Sequence, residues 1–246
     1  MNAVLRSEFL KLRTTRSVFG LLAGTVVLAG LALWGSLSSA TPAELAAGLT
    51  APFGYAGIVI IVMLFVMVLG IRSFTDEVRH GSIVPTFLAT PKRLRVLAAK
   101  TTVSAAAAVV FAIAALAVGT GVVTVYLTAH GYAVPVAWGT MAWLFAKAIA
   151  IAALWSAIGV SVGVVVRHQV AAIVGALAWL FVVENILGGL IPKIAAWLPG
   201  SAAGAAMGMG TLSPLVTPVV GMIVLVAWTV GAVALAATVI RRRDVV

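Results

Sequence analysis

Gly159-Val160-Ser161-Val162-Gly163 is a segment of this 246-residue chain that matches a catalytic signature. In the GxSxG pattern a serine on a sharp strand-to-helix turn is presented as an acyl-transfer nucleophile. Such a serine needs a histidine base and an acid to orient it. His80, His130 and His168 fall in three different loops, and His168, the closest in sequence, is seven residues from Ser161, about two helical turns. No Asp or Glu lies in an apolar segment near enough to complete a triad. Ser161 also sits inside a continuous apolar run, where no strand precedes it. Glycines at i and i+4 in such a run read as a small-residue face for close helix packing, like Gly20 and Gly24. An intramembrane hydrolase using Ser161 stays as an alternative. No Gly is followed by Lys, so no phosphate-cradling loop is present, and any ATP hydrolysis is expected on another chain. With no cysteine, no HExxH and no EF-hand spacing, no metal site, cofactor site or catalytic residue is expected here.

Ionisable residues inside apolar segments are the next candidates, because each costs about 2.5–3.5 kcal/mol at mid-bilayer unless it pairs, snorkels or meets water. Lys147 lies 20 residues before Arg167, roughly 30 Å along a helix, and Glu184 lies 17 residues after it, roughly 26 Å. Both therefore sit at similar depth near one interface, with Asn185 beside Glu184. They read as an intramembrane pair, as a polar lining to a cavity, or, for Lys147, as a snorkelling side chain.

Apolar helices must position these groups. The chain is 63% hydrophobic and 9% charged, with a mean hydropathy of +1.20. Disorder and an ordinary soluble domain are both excluded. A window of about 19 residues finds six spans, Ser17–Leu37, Phe53–Ile71, Thr101–Val125, Trp138–Val166, Val170–Leu187 and Pro218–Ile240. More than half the chain is thus expected in the bilayer. Lipid offers the backbone no hydrogen bonds, so the spans must be helical, and the fold class is an all-α polytopic membrane protein. The first span lacks a small-residue cleavage pattern and is expected to be retained.

A formal charge of +10 would indicate nucleic acid in a soluble protein. Here 14 of the 16 Lys and Arg fall before span one, between spans two and three, between four and five, or after span six. That alternation predicts both termini in the cytoplasm with the basic face against anionic lipid, and no nucleic-acid partner.

Residues 1–16 form the first segment outside the spans. Leu5, Phe9 and Leu12 fall on one stripe flanked by Arg6 and Arg13, which reads as an amphipathic helix on the inner leaflet or as a solvated tail. Loops 38–52 and 126–137 read as short and plain, and 241–246 as a basic tail. The loop 72–100 carries more signals. Asp76, Glu77, Arg79 and His80 continue span two to a stop at Gly81, and Thr90-Pro91 reads as the start of the helix that becomes span three. Between them Ile83, Val84, Phe87 and Leu88 form an apolar helical turn outside the membrane, a surface for a partner or for the N-terminal helix. Residues 188–217, broken by Pro192, Pro199, Pro214 and glycines such as Gly200, Gly204 and Gly208, read as short helices re-entering the outer leaflet, or as the misplaced start of span six.

SEFLKLRTTRS at Ser7–Ser17, TDEVRHGSIVPTFLATPKRLRVLAAK at Thr75–Lys100 and the ending RRRDVV together resemble the six-span permease subunits of ABC exporters, in the compact bacterial form of the type-2 permease branch. The resemblance extends over essentially the whole chain and is most specific in the loop. It implies an interfacial N-terminal helix, a coupling helix between spans two and three, and re-entrant helices before span six. It further implies a separate ATPase subunit holding ATP and Mg, and a working complex of two permeases, identical or paralogous, with two ATPases. Glu77, Arg79, Gly81 and Ser82 match the motif leading into the coupling segment, and Ile83, Val84, Phe87 and Leu88 would supply the contact; Pro85 departs from the pattern. In such an exporter spans one, two and five rock as the ATPases close. The low charge of the spans favours a hydrophobic or amphipathic cargo, a drug, lipid or peptide. A non-transporting scaffold for a cytosolic partner is the second alternative.

Overall fold

A computed structural model describes residues 2–46, 52–90, 92–134, 138–208 and 216–242. Pro91, Pro214, Arg243 and parts of the loops 38–52 and 126–137 lie outside the described residues. Among those described there is no strand, and the order is α1 (Asn2–Thr14), α2 (Arg16–Ser38), α3 (Pro42–Ala46), α4 (Pro52–Arg79), α5 (Ile83–Ala89), α6 (Arg93–Ala129), α7 (Trp138–Val166), α8 (Gln169–Ala178), a π-helical turn (Trp179–Val183), α9 (Glu184–Leu190), α10 (Pro192–Ala195), α11 (Pro199–Met207) and α12 (Pro218–Arg242). Six helical segments are long and apolar enough to cross a membrane: α2, α4, α6, α7, the run from α8 through α9, and α12. The protein is an all-α chain with the architecture of a multi-pass membrane protein.

Sequence accounts for most of the boundaries. Gly81, at φ +68°, ends the reach of α4 in a left-handed turn that glycine adopts without a Cβ clash. α6 has 37 residues, about 55 Å, far more than a hydrocarbon core of about 30 Å requires. It starts at Arg93, eight residues before the span expected from hydropathy, so its basic first turns project beyond the apolar region. Thr90 closes α5 instead of opening α6, donating its N–H to the Thr86 carbonyl at 3.0 Å. Pro85 is tolerated because it occupies the first turn of α5, where an amide has no intrahelical partner to lose. The loop expected to be plain holds α3, whose Thr41 and Glu44 form a capping box: Thr41 N–H and Oγ1–H each donate to Glu44 Oε2 at 2.8 Å.

The core is the pair α4 and α7. Over half of each helix's most apolar stretch (56%) is buried, against 11% for the α8–α9 run, whose outer face would meet lipid or another chain. Their backbones touch at three glycines. A Cβ on Gly70 would strike the Ser156 carbonyl, one on Gly159 the Met67 carbonyl, and one on Gly163 would lie 2.6 Å from the Ile71 carbonyl oxygen. The GxSxG residues are therefore a helix-packing face. α6 and α12 also pack on α7, α2 leans on α4 and α6, and α1 packs on α6. A second, smaller core joins the basic ends of α4, α6, α7 and α12 through Phe74, Leu97, Val160, Val164, Ala236 and Ile240.

Residues 188–207 form the end of α9, then α10 and α11, and α12 begins at Pro218 as expected. They are therefore separate short helices, not an early start of the last span. α11 is buried against α12, where a Cβ on Gly221 would sit 2.7 Å from the Ala202 carbonyl oxygen.

Candidate functional site

α5 is an amphipathic turn with two distinct faces. Ile83 is buried in the second core and Phe87 packs against it, whereas Val84 is 44% and Leu88 77% exposed. Helical spacing makes this split: 83 and 87 share one ridge and 84 and 88 the next. The guanidinium of Arg93 lies 5.5 Å from the Phe87 ring centroid and Arg93 Nη1–H donates to the Ile240 carbonyl at 3.2 Å. α5 is thus clamped to the last turns of α12 from behind while its outer ridge stays bare. Packing on the N-terminal helix, one of the two expectations for this segment, is not what holds it. Of the motif leading in, Ser82 Oγ makes only a 3.5 Å contact to the Glu77 carbonyl, Gly81 supplies the turn, and Arg79 Nη1–H donates to Gln169 Oε1 at 3.2 Å, tying α4 to the start of α8.

Glu77, in the motif leading into α5, lies buried, 8% exposed, in an ionic cluster. Lys100 Nζ, whose side chain has no exposure, donates to Glu77 Oε1 at 2.6 Å, to Glu8 Oε2 at 2.9 Å and to the Ser73 carbonyl at 2.9 Å. Lys11 Nζ donates to Glu77 Oε1 at 2.7 Å and Glu8 Oε1 at 2.8 Å. Burial works against the Lys11 ammonium, but hydrogen bonds to Glu77 and Glu8 and their charges outweigh it and hold its pKa above the ordinary 10.5. Two carboxylates and two ammoniums balance, which is what permits a buried ammonium at all. The cluster joins α1, α4 and α6.

This cluster also sets the rotation of α1. Glu8 is its buried residue, Leu12 touches the main core, and Phe9 and Leu10 are each 59% exposed. Within the stripe of Leu5, Phe9 and Leu12, pairing of Glu8 with Lys100 turns Leu12 toward the main core and leaves Phe9 on the open side. Glu8 and Lys100 escaped sequence reasoning. The available signal was scarcity: in a chain with six acidic residues, one acid inside a basic N-terminal segment invites a partner.

Lys147 and Glu184 do not pair. Glu184, 6% exposed, accepts from Trp179 Nε1–H at 3.1 Å, from Gly200 N–H at 3.0 Å and from Ser201 N–H at 3.1 Å. Those amides are the free first-turn donors of α11. Lys147 Nζ contacts the Met207 carbonyl, at the other end of the same helix, at 3.4 Å. Gly200 makes the first contact sterically feasible, since a Cβ there would lie 2.5 Å from Glu184 Oε2. Asn185 is exposed and turns back on its own helix, donating to the Phe181 carbonyl at 2.9 Å. It does not join Lys147 in a lining.

Ser161 is buried in α7, its hydroxyl donating to the Ala157 carbonyl at 2.9 Å. His168 Nδ1 accepts from Ala171 N–H at 3.2 Å and caps α8. The structure does not bring the two together. Among the described residues no group of three His, Asp or Glu could hold a metal ion. No protein-family model matches the chain, and no curated protein matches it.

Proposed function

We propose that the chain is the membrane-spanning subunit of an ATP-driven exporter, that α5 docks on a separate ATPase subunit carrying ATP and Mg, and that the complex uses two permease copies or paralogues. The observation that carries this reading is the two-faced α5, anchored through Ile83 and Phe87 and bare at Val84 and Leu88, outside the six apolar segments. A helix displaced by a nucleotide-driven partner needs both properties. Its bare ridge receives the partner, and its anchored ridge passes the displacement to α4, α6, α7 and α12.

In this reading the basic face is cytoplasmic, the chain lies in the bacterial plasma membrane, and α9–α11 cover the outer end of the path. The weakly charged spans favour a hydrophobic or amphipathic cargo. Purification in mild detergent tests the proposal. An ATPase subunit is expected to copurify, and Val84→Asp with Leu88→Asp is expected to release it while leaving membrane insertion intact. Recovery of the chain with no ATPase, or an association indifferent to both substitutions, would count against it.

A further inference from the structure

A cleft of about 270 Å³, room for about nine waters, opens between α1, the start of α2 and the basic ends of α4 and α6. One wall is hydrocarbon, from Leu12, Val18, Leu21, Leu69 and Val103. The other carries Arg72 and Glu77, and each has an unmet hydrogen bond. Lys11 and Lys100 both take Glu77 Oε1, and Oε2, on a carboxylate more than nine-tenths buried, has no partner. Arg72 Nη2–H donates to Ser17 Oγ at 2.8 Å and Asp76 Oδ2 at 3.0 Å, while its buried Nε–H donates to nothing. An anionic acceptor and a cationic donor thus lie buried and without partners in the cleft's polar wall, on residues five apart on one helix, about 7.5 Å along its axis. Leaving such groups unmet is costly, and water or a ligand satisfies them.

The ligand's chemistry follows from three constraints. The carboxylate oxygen calls for a charged N–H donor, and the guanidinium Nε–H for an anionic oxygen. Glu8, Asp76 and Glu77 balance Lys11, Arg72 and Lys100 around the cleft, so a molecule of zero net charge fits and a purely anionic one does not. The apolar wall takes a hydrocarbon chain. We propose that this cleft binds a zwitterionic amphiphile bearing a primary ammonium, with the ammonium on Glu77 Oε2, the anionic oxygen on Arg72 Nε and the chain along Leu12, Val18 and Leu21. A quaternary ammonium lacks the N–H that Glu77 requires. The site needs no ATPase and stands or falls separately from the coupling role of α5.

Native mass spectrometry of the full-length chain, purified with equal amounts of phosphatidylethanolamine, phosphatidylcholine and phosphatidylglycerol, tests this. Phosphatidylethanolamine is expected at one per chain, retained roughly tenfold over the other two, the discrimination of one charge-assisted hydrogen bond. Val18→Trp, which fills the cleft from its apolar wall without touching the ionic cluster, is expected to abolish the preference, as is Glu77→Gln. Equal retention of the three lipids, or a preference that survives Val18→Trp, overturns the proposal. Nε-lauroyl-lysine, a single-chain zwitterion with a free ammonium, separates the two sources of this chemistry. Displacement of the bound lipid marks an exchangeable cargo site, and retention of the lipid marks a resident bilayer lipid.

Discussion

Lys147 and Glu184 grip opposite ends of one nine-residue helix. Glu184 accepts the first-turn amides of α11 and Lys147 meets its last carbonyl. A negative group stands at the positive end of the helix dipole and a positive group at the negative end. Two residues whose similar depth allowed an ion pair, a polar lining or a snorkelling Lys147 are therefore joined through a helix, which spans 4 and 5 hold between them.

The two ends are unequal, and that asymmetry is testable. Glu184→Ala strands two backbone amides and the Trp179 indole N–H, and is expected to destabilise the protein by about 1–3 kcal/mol. Lys147→Met removes one long contact and a dipole interaction, for about 0.3–1 kcal/mol. Thermal unfolding in mild detergent, followed by tryptophan fluorescence, checks the order. Equal effects would contradict the capping role.

Lys100→Met leaves Glu8 and Glu77 buried with only Lys11 between them. The expected loss is about 3–5 kcal/mol, the usual consequence of stripping one partner from a buried ion cluster. Protease accessibility of α1 should rise in the same variant, because its dominant tie to the bundle is gone. An unchanged unfolding midpoint would show that α1 is held by packing alone.

Six spans, the stop at Gly81, the apolar turn at 83–88 and the short helices after 188 were all legible in the sequence, because each is written locally in hydropathy, proline or glycine. The ionic cluster was not. Glu8 and Lys100 are 92 residues apart, and Lys11 and Glu77 are 66 apart. Charge type alone cannot say which of 14 cations on the basic side an acid will find. The rotation of α1 depends on that cluster, and the division of α5 into a seated and a bare ridge on its packing in the second core with α12, another long-range contact, so both were hidden for the same kind of reason. The link between Lys147 and Glu184 was half visible, since their depth could be computed but not the helix inserted between them.

Within α5 the two ridges should respond differently. Ile83→Ala opens a cavity in the second core and is expected to cost about 2–5 kcal/mol of stability. Val84→Asp or Leu88→Asp should leave the unfolding midpoint nearly unchanged and act only on partner association. Denaturation and copurification, measured on the same preparations, distinguish the two.

In α7, Gly159→Ala should be far more damaging than Ser161→Ala. The added Cβ meets the Met67 backbone, which has no side-chain freedom to yield, whereas the serine hydroxyl serves only the carbonyl four residues back. The expected costs are about 1–3 kcal/mol or more for the first and under about 1 kcal/mol for the second. An activity abolished by Ser161→Ala at unchanged stability would revive the hydrolase reading.

Glu44 supplies a pH prediction outside the spans. A backbone and a side-chain hydrogen bond from Thr41 hold its carboxyl below the ordinary 4.5. Its contribution is therefore complete above that value and fades as pH falls through the lower folded pKa. The protection factor of the Thr41 amide, its exchange rate taken relative to the intrinsic rate at the same pH, should hold steady at pH 6 and fall only on acidification below 4.5, and Glu44→Gln should remove that transition.

The glycine seam between α4 and α7 has a mechanical consequence. Where carbonyls of one helix lie against the Cα atoms of its neighbour, neither can slide or roll without breaking the interlock, so the second and fourth spans behave as a single keel. A cycle in which span two rocks must then carry span four with it as one body, moving against the less buried helices α2, the α8–α9 run and α12, and a crosslink fastening α4 to α7 should leave such a cycle running.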